Sequence, residues 1–437
     1  MATLTPAIRP VTSLAGPEPS LASLVAQISH MVGGREDSPD LGEIRALCDL
    51  LYTASLLKEE GRVVRARIII APPEGFTAQE GPPDGIHAIR FASTHAFTAG
   101  EIKRLSPAAS FFHSLIAVWP EKDRGFRIWG LLNTGPRWLN LMAGGRKPGG
   151  ITMPYPTIHV RDPGWLLFYQ NYELLAEWRG REFHGPRMDV FQSRLMSERF
   201  ADLRHRLARE SWSHRLPETL TIEAYAELIH RIALQFLRRI VSLVRSSGHG
   251  GTLVIFPMKR NAEESQSAAE RWIDCKYLAS TESAGNRVKF LIEAMLRRLG
   301  ELCPEGSSVE DAWSCFKKST DPELDNLEES FFELARMYSD MMQVDGALVL
   351  EHGLNVVGFG GEIRVDMNVV HVEQSHDLER TQVSRWNVQS DGTRHRSLYR
   401  LCAVEPQAVG YVISQDGQVR MIANVNDTVT FWLHTAI

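Results

Sequence analysis

The run "DGTRHRSLYR", residues 391–400, sets Arg394, His395 and Arg396 directly after Gly392 and Thr393. A Gly-Thr pair opening a helix presents unpaired backbone N–H groups and a hydroxyl. Two guanidiniums and an imidazole add charge-assisted donors, and the set suits a polyphosphate. The same residues equally suit a helix start whose cations face water. Asp345, followed by Gly346 and Ala347, is the second residue with chemical reach. An isolated Asp-Gly pair serves as a turn or cap. In a functional role the carboxylate would hold Mg²⁺ or Mn²⁺, hard cations that bridge to substrate phosphates.

Other groups weigh less. "GPRWLNLMAGGRKPGG", residues 135–150, is a Gly-rich basic stretch able to offer backbone N–H groups to a phosphate. It lacks the Lys-Ser/Thr ending and helix context of a P-loop and reads as an ordinary loop. His371, Glu373 and His376 have a metal-ligand spacing but read as a solvated loop. The five cysteines, Cys48, Cys275, Cys303, Cys315 and Cys402, show neither paired nor zinc-type spacing, which points to a reduced, cytoplasmic setting.

The elements that must position Asp345 and the basic run are legible around them. Ile222, Tyr225, Ile229, Ile232, Phe236, Ile240 and Leu243 form one helical stripe that stops at Ser247-Gly248, and the buried strand "TLVIFP" follows. "RVKFLIEAMLRRLGEL" is a second helix, and Asp321-Pro322 opens a third that delivers the chain to Asp345. "ALVL" and "NVVGF" read as a hairpin. After the basic run a short helix ends before Pro406, and "AVGYVIS" and "QVRMIAN" form another hairpin.

Upstream, residues 39–186 read as a β-rich α+β domain in which Trp119, Trp129, Trp138, Trp165 and Trp178 pack a small core. Residues 1–38 are expected to be a flexible tail and 187–218 a connector helix, leaving 219–437 as an α/β domain. Across 437 residues the net charge is −5 and the pI about 6.3. That balance argues against a protein that coats DNA, RNA or anionic membrane, so any phosphate recognition is local. No apolar run reaches membrane-spanning length, and the first residues do not resemble a secretory signal.

Asp345-Gly346-Ala347, a hairpin, Gly392-Thr393-Arg394-His395-Arg396 and a strand ending "ISQ" occur in an order that resembles the diadenylate cyclase domain family, including its DNA-integrity-scanning members. The resemblance covers roughly 219–437. With the β-rich portion before it, the chain looks most like the divergent DACNV branch, labelled a probable sensor domain. The resemblance implies an α/β sandwich with a mixed central sheet that joins two ATP into cyclic di-AMP across a face-to-face pair of subunits. It implies that Asp345 binds the divalent metal and that Gly346 and Ala347 shape backbone near the nucleotide. Gly392, Thr393, Arg394, His395 and Arg396 would serve the phosphates, and Ser414 would add a hydroxyl contact. Asp345, Arg394, His395 and Arg396 would then be the catalytic set. ATP or a related nucleotide is the expected partner, and a homo-oligomer is required if the domain is catalytic. The alternative is a non-catalytic sensor that binds a nucleotide or cyclic dinucleotide and signals to a partner.

Departures from the family pattern bear on the base and on subunit pairing. Residues 364–391 intervene where the family segment is short, and could lid the nucleotide or obstruct a partner subunit. Leu398 replaces a small residue, and "GFGGE" replaces the usual end of the second hairpin strand.

Overall fold

The computed structural model describes residues 20–435 except 34, 36, 77–80, 82–84, 110–112, 135–144, 148–152, 181, 185–187, 213–220, 257–267, 281–286 and 352. The chain is α/β, with two large sheets each covered by helices.

Helices α1 (Leu21–Val32) and α2 (Leu41–Ser55) each open on a capping box, Ser20 with Ser23 and Asp40 with Glu43. The first corrects the expectation of a flexible tail through residue 38. Leu24, Val25, Ile28 and Val32 recur at helical spacing and are buried in the N-terminal core. There follow β1 (Lys58–Glu59), β2 (Arg62–Val63), β3 (Ala66–Ile70), β4 (His87–Ala96), α3 (Ala99–Leu105), β5 (Ser114–Glu121), β6 (Gly125–Asn133), β7 (Thr157–Asp162), β8 (Trp165–Gln170), β9 (Glu173–Arg179) and β10 (Glu182–His184). Eight of these strands form a sheet in the order β10-β9-β8-β7-β3-β5-β6-β4. Trp119, Trp129 and Trp178 pack its core, as expected; Trp165 is buried outside that core, and Trp138 lies outside the described residues. Alternation along β8 sends Leu166 and Phe168 into the N-terminal core, whereas Trp165, Leu167 and Tyr169 form a separate cluster on the other face.

The expected single connector helix is broken. A 3-10 turn at Val190–Gln192 leads to α4 (Arg194–Arg199), capped by Ser193, and to α5 (Ala201–Trp212). Phe200 interrupts them because its ring is buried and its backbone leaves the helical region.

The C-terminal unit begins with α6 (Ile222–Ser247), capped by Thr221 and closed by Gly248 at φ +72. It continues through β11 (Gly251–Phe256), α7 (Ala268–Trp272), β12 (Ile273–Leu278), α8 (Arg287–Leu302), α9 (Val309–Lys318), α10 (Pro322–Met341), β13 (Ala347–Glu351), β14 (Val356–Ile363), β15 (His371–Ser375), β16 (Val383–Asn387), α11 (Thr393–Val404), β17 (Val409–Ile413), β18 (Val419–Val425) and β19 (Thr428–His434). The nine-stranded sheet runs β12-β14-β13-β11-β17-β18-β19-β15-β16 and is mixed, with β11 parallel to β13 and β15 parallel to β19. Leu253 and Ile255 face the core shared with α6, α8 and α10. Val254 and Phe256 face the core shared with α11. The 364–391 segment contributes β15 and β16, which extend this sheet beyond β19.

The two units are pinned by Arg146, whose side chain is fully buried among elements of the C-terminal unit. Its Nε donates to Phe316 O at 2.6 Å, a second nitrogen donates to Ser319 O, and Nη1 pairs with Asp325 at 3.0 Å. Its backbone N–H donates to Glu328 Oε1 at 2.9 Å. Most of the Gly-rich stretch that carries Arg146 lies outside the described residues.

Candidate functional site

Strand pairing brings three distant points to one end of the C-terminal sheet. Thr252 on β11 pairs with Ala347 on β13, and Gly251 pairs with Ile413 on β17. Gly250, Asp345-Gly346 and Ser414 therefore stand side by side, just beyond the strand ends. The N-terminus of α11 meets them there. A methyl group added at Gly250 would lie 3.2 Å from Arg394 Nη1 and 2.8 Å from Ile413 O.

Arg394 Nη2 is 4.0 Å from Asp345 Oδ1, with side-chain exposures of 37% and 91%. At that distance and exposure the pair contributes about 0–1 kcal/mol. It is therefore a weak closure that leaves both groups available to a ligand. Asp345 owes its position at the lip to glycine. Gly346 has φ +118, and a methyl there would stand 2.6 Å from Gly361 N, so β13 and β14 approach too closely for a side chain. The unusual "GFGGE" segment thus has a packing cause. Gly358 and Gly361 also back directly onto Cys275 and Ile273 of β12.

Gly392 is the N-cap of α11 and supplies no side-chain cap, so the first-turn N–H groups are left for another acceptor. Thr393 and Arg396 are exposed. Helical geometry advances about 100° per residue, which turns Arg396 away from the side on which Arg394 meets Asp345. His395 is half-buried, and its Nε2 has no hydrogen-bond partner among the described residues. Burial, with Arg420 adding to it, lowers its pKa to about 4, so the imidazole is neutral near pH 7. Ala347 is buried in the sheet and acts through its backbone position. The Ser414 hydroxyl is engaged in its own turn by Asp416 and Gln418, and accepts from Gln418 N–H at 3.0 Å.

Beneath the basic run lies a network that the sequence did not reveal. Asp391 accepts from Trp386 Nε1 at 2.8 Å, Tyr399 Oη at 3.0 Å and Arg420 Nη1 at 2.8 Å. The Asp391–Arg420 pair is buried, and the Arg420 guanidinium lies 4.5 Å from the Phe431 ring centroid. These contacts fix the residue that precedes Gly392. Asp391 was visible as the first letter of the basic run, but only the fold joins it to Trp386 and Arg420.

Among the described residues no group of three or more His, Cys, Asp or Glu could hold a metal ion. Glu373 pairs with Arg380 at 2.5 Å and His376 Nε2 contacts Ser384 Oγ at 2.8 Å, so both are structural parts of the β15–β16 hairpin. Asp345 alone fits a cation that takes one protein carboxylate and completes its shell with water and phosphate oxygens, the habit of Mg²⁺.

The family model for the probable sensor domain DACNV matches residues 34–133, within the N-terminal unit. No curated protein matches the chain. Among solved structures, a hypothetical membrane-spanning protein from Bacillus cereus is 11% identical, covering 54% of this chain and 92% of that one, with a TM-score of 0.22. No helix among the described residues is long and apolar enough to cross a membrane.

Proposed function

We propose that the C-terminal unit is a metal-dependent nucleotidyltransferase that joins two ATP into cyclic di-AMP, or a related cyclic dinucleotide, with release of pyrophosphate. The observation that carries this reading is the 4.0 Å approach of Arg394 to Asp345, residues far apart in sequence, at an uncapped helix N-terminus. A bare carboxylate beside a phosphate site repels the ligand. It favours binding if a cation lies between it and the phosphates.

In the proposed reaction the 3′-oxygen of one nucleotide bonds to the α-phosphorus of the other, the bond to the β-phosphate oxygen breaks, and the hydroxyl proton is released. Repetition in the opposite sense closes the ring. Mg²⁺ or Mn²⁺, when bound, would neutralise charge on the phosphates and leaving group. Arg394 and the α11 N-terminus would hold the triphosphate by charge-assisted hydrogen bonds, and Asp345 would anchor the cation side. His395, being neutral, would donate or accept a single hydrogen bond without adding charge. Positioning and electrostatics dominate such transfers. One site holds one nucleotide, so turnover requires two copies to face each other.

The second reading is a nucleotide-binding sensor without turnover, favoured by the match to a probable sensor domain. The match falls on residues 34–133, outside the unit that bears the clamp, which fits an N-terminal sensor controlling a C-terminal output.

The two readings separate when purified protein is incubated with ATP and Mn²⁺ or Mg²⁺ and the products are identified by mass spectrometry. Cyclic dinucleotide and pyrophosphate are expected, with Asp345→Asn abolishing turnover and Arg394→Ala weakening ATP binding. Tight nucleotide binding with no product would assign the sensor role instead.

A further inference from the structure

Trp165 opens β8 on the face of the N-terminal sheet turned away from its own core. Three guanidiniums surround its ring, those of Arg161 at 4.7 Å, Arg179 at 4.6 Å and Arg245 at 5.5 Å from the centroid. The first two belong to the N-terminal sheet. Arg245 belongs to the last turn of α6. Around this ring the N-terminal sheet meets the two loops that floor the clamp.

One loop joins α6 to β11. Arg161 Nη2 donates to the Arg245 carbonyl at 2.6 Å, and Arg245 Nη2 lies 3.4 Å from Glu177 of β9. Five residues after Arg245 comes Gly250, against which Arg394 Nη1 rests. The other loop joins β17 to β18. Arg179 Nη2 reaches Asp416 at 3.5 Å, and Arg245 Nε donates to Gly417 O at 2.8 Å. Gly417 has φ +83, and a methyl there would stand 2.6 Å from Trp165 Cη2, so the turn abuts the indole with no slack. The same turn holds Ser414, whose hydroxyl Asp416 engages.

The cluster is not fully satisfied. Arg245 Nη1 and Trp165 Nε1 are buried without an acceptor among the described residues. A buried donor left unpaired favours rearrangement over the docked state. A shift of the ring then reaches the 414–418 turn directly, because the Gly417 contact has no room to absorb it, and reaches the 247–251 turn through Arg245, which touches both the ring and Gly417 O.

We propose that Trp165, Arg179 and Arg245 form a relay by which the N-terminal unit sets the geometry of the Asp345–Arg394 clamp through the 247–251 and 414–418 turns. The inference rests on the reading of that clamp as a nucleotide site, and names its regulation. These three are positioning residues, since none stands at the proposed phosphate position.

The test combines hydrogen–deuterium exchange with equilibrium binding of an ATP analogue blocked at its α,β bridge, in Mn²⁺, on the full chain. Trp165→Leu and Arg179→Ala are compared with wild type, and Arg124→Ala, on an exposed turn of the same sheet, is the control. Faster exchange in peptides spanning 247–251 and 413–418, with affinity changed about fivefold or more as coupled sites usually show, is the expected result. Arg179 is more exposed than Trp165, so its variant carries the test if Trp165→Leu does not fold. If exchange rises in both turns but wild type binds no nucleotide, the relay stands and the nucleotide reading falls. If wild type binds the analogue and the folded variants bind it with the same affinity, the relay is overturned, whatever their exchange shows.

Discussion

Replacing Arg146 with alanine tests how the two units are held together. The side chain is fully buried and satisfies the carbonyls of Phe316 and Ser319 and the carboxylate of Asp325. Removing one partner of a buried ion pair costs about 3–5 kcal/mol. Two features favour the lower end. Asp325 is 23% exposed and can be rehydrated, and Glu328 retains the Arg239 guanidinium. About 3 kcal/mol, at roughly 2–4 °C per kcal/mol for a unit of this size, lowers the melting temperature by about 6–12 °C. Scanning calorimetry reads the shift directly. Arg146→Lys should recover less than half of it, since one ammonium cannot reproduce a planar fork aimed at three acceptors. A fall of less than about 2 °C in Arg146→Ala would refute the claim that this side chain pins the units.

Three further outcomes follow from two desolvated histidines and two glycines. Burial lowers the pKa of His230 and of His395 to about 4, from an unfolded value near 6.5. Between those values the unfolded chain binds protons that the native protein does not, so stability falls as pH drops through 6.5 towards 4. Melting temperature measured from pH 7.5 to 5 should decline below 6.5, and His230→Gln should flatten the decline; a flat wild-type profile would contradict it. Gly346→Ala forces a side chain into φ +118 against Gly361 N and should reduce ATP binding more than tenfold in calorimetry. Gly100→Ala, in α3 with open space around it, should raise the melting temperature slightly and leave binding unchanged.

Local pattern and non-local contact divide what the sequence discloses. The α6 stripe, its Gly248 stop and the following strand are set by residues adjacent in the chain, and the structure has them where periodicity and capping place them. The α10 start at Asp321-Pro322 was legible for the same reason. α1 was missed because the expectation of a flexible tail was extended across a short helical stripe. The Phe200 break was missed because it depends on where a ring is buried, which periodicity does not encode.

In the candidate site, residue type and order singled out Asp345 and Arg394, and strand pairing explains why they meet. The same motif grouped Arg394 with Arg396, which helical geometry turns to another side. Asp391, Trp386 and Arg420 each look ordinary in sequence. Their connection exists only because β18 and the β16 segment converge on the start of α11. The Gly-rich stretch near 146 read as a loop, and the burial of Arg146 became visible only with its partners, located about 170 to 180 positions downstream.

The measurement that bears most directly on the account is product analysis of wild-type protein incubated with ATP and Mn²⁺, alongside Asp345→Asn at matched nucleotide occupancy. Wild type should yield cyclic di-AMP or a related cyclic dinucleotide with two pyrophosphates per ring, and the variant none. Equal product from both would contradict the assignment of Asp345, and no product from wild type that has been saturated with nucleotide would contradict the nucleotidyltransferase itself.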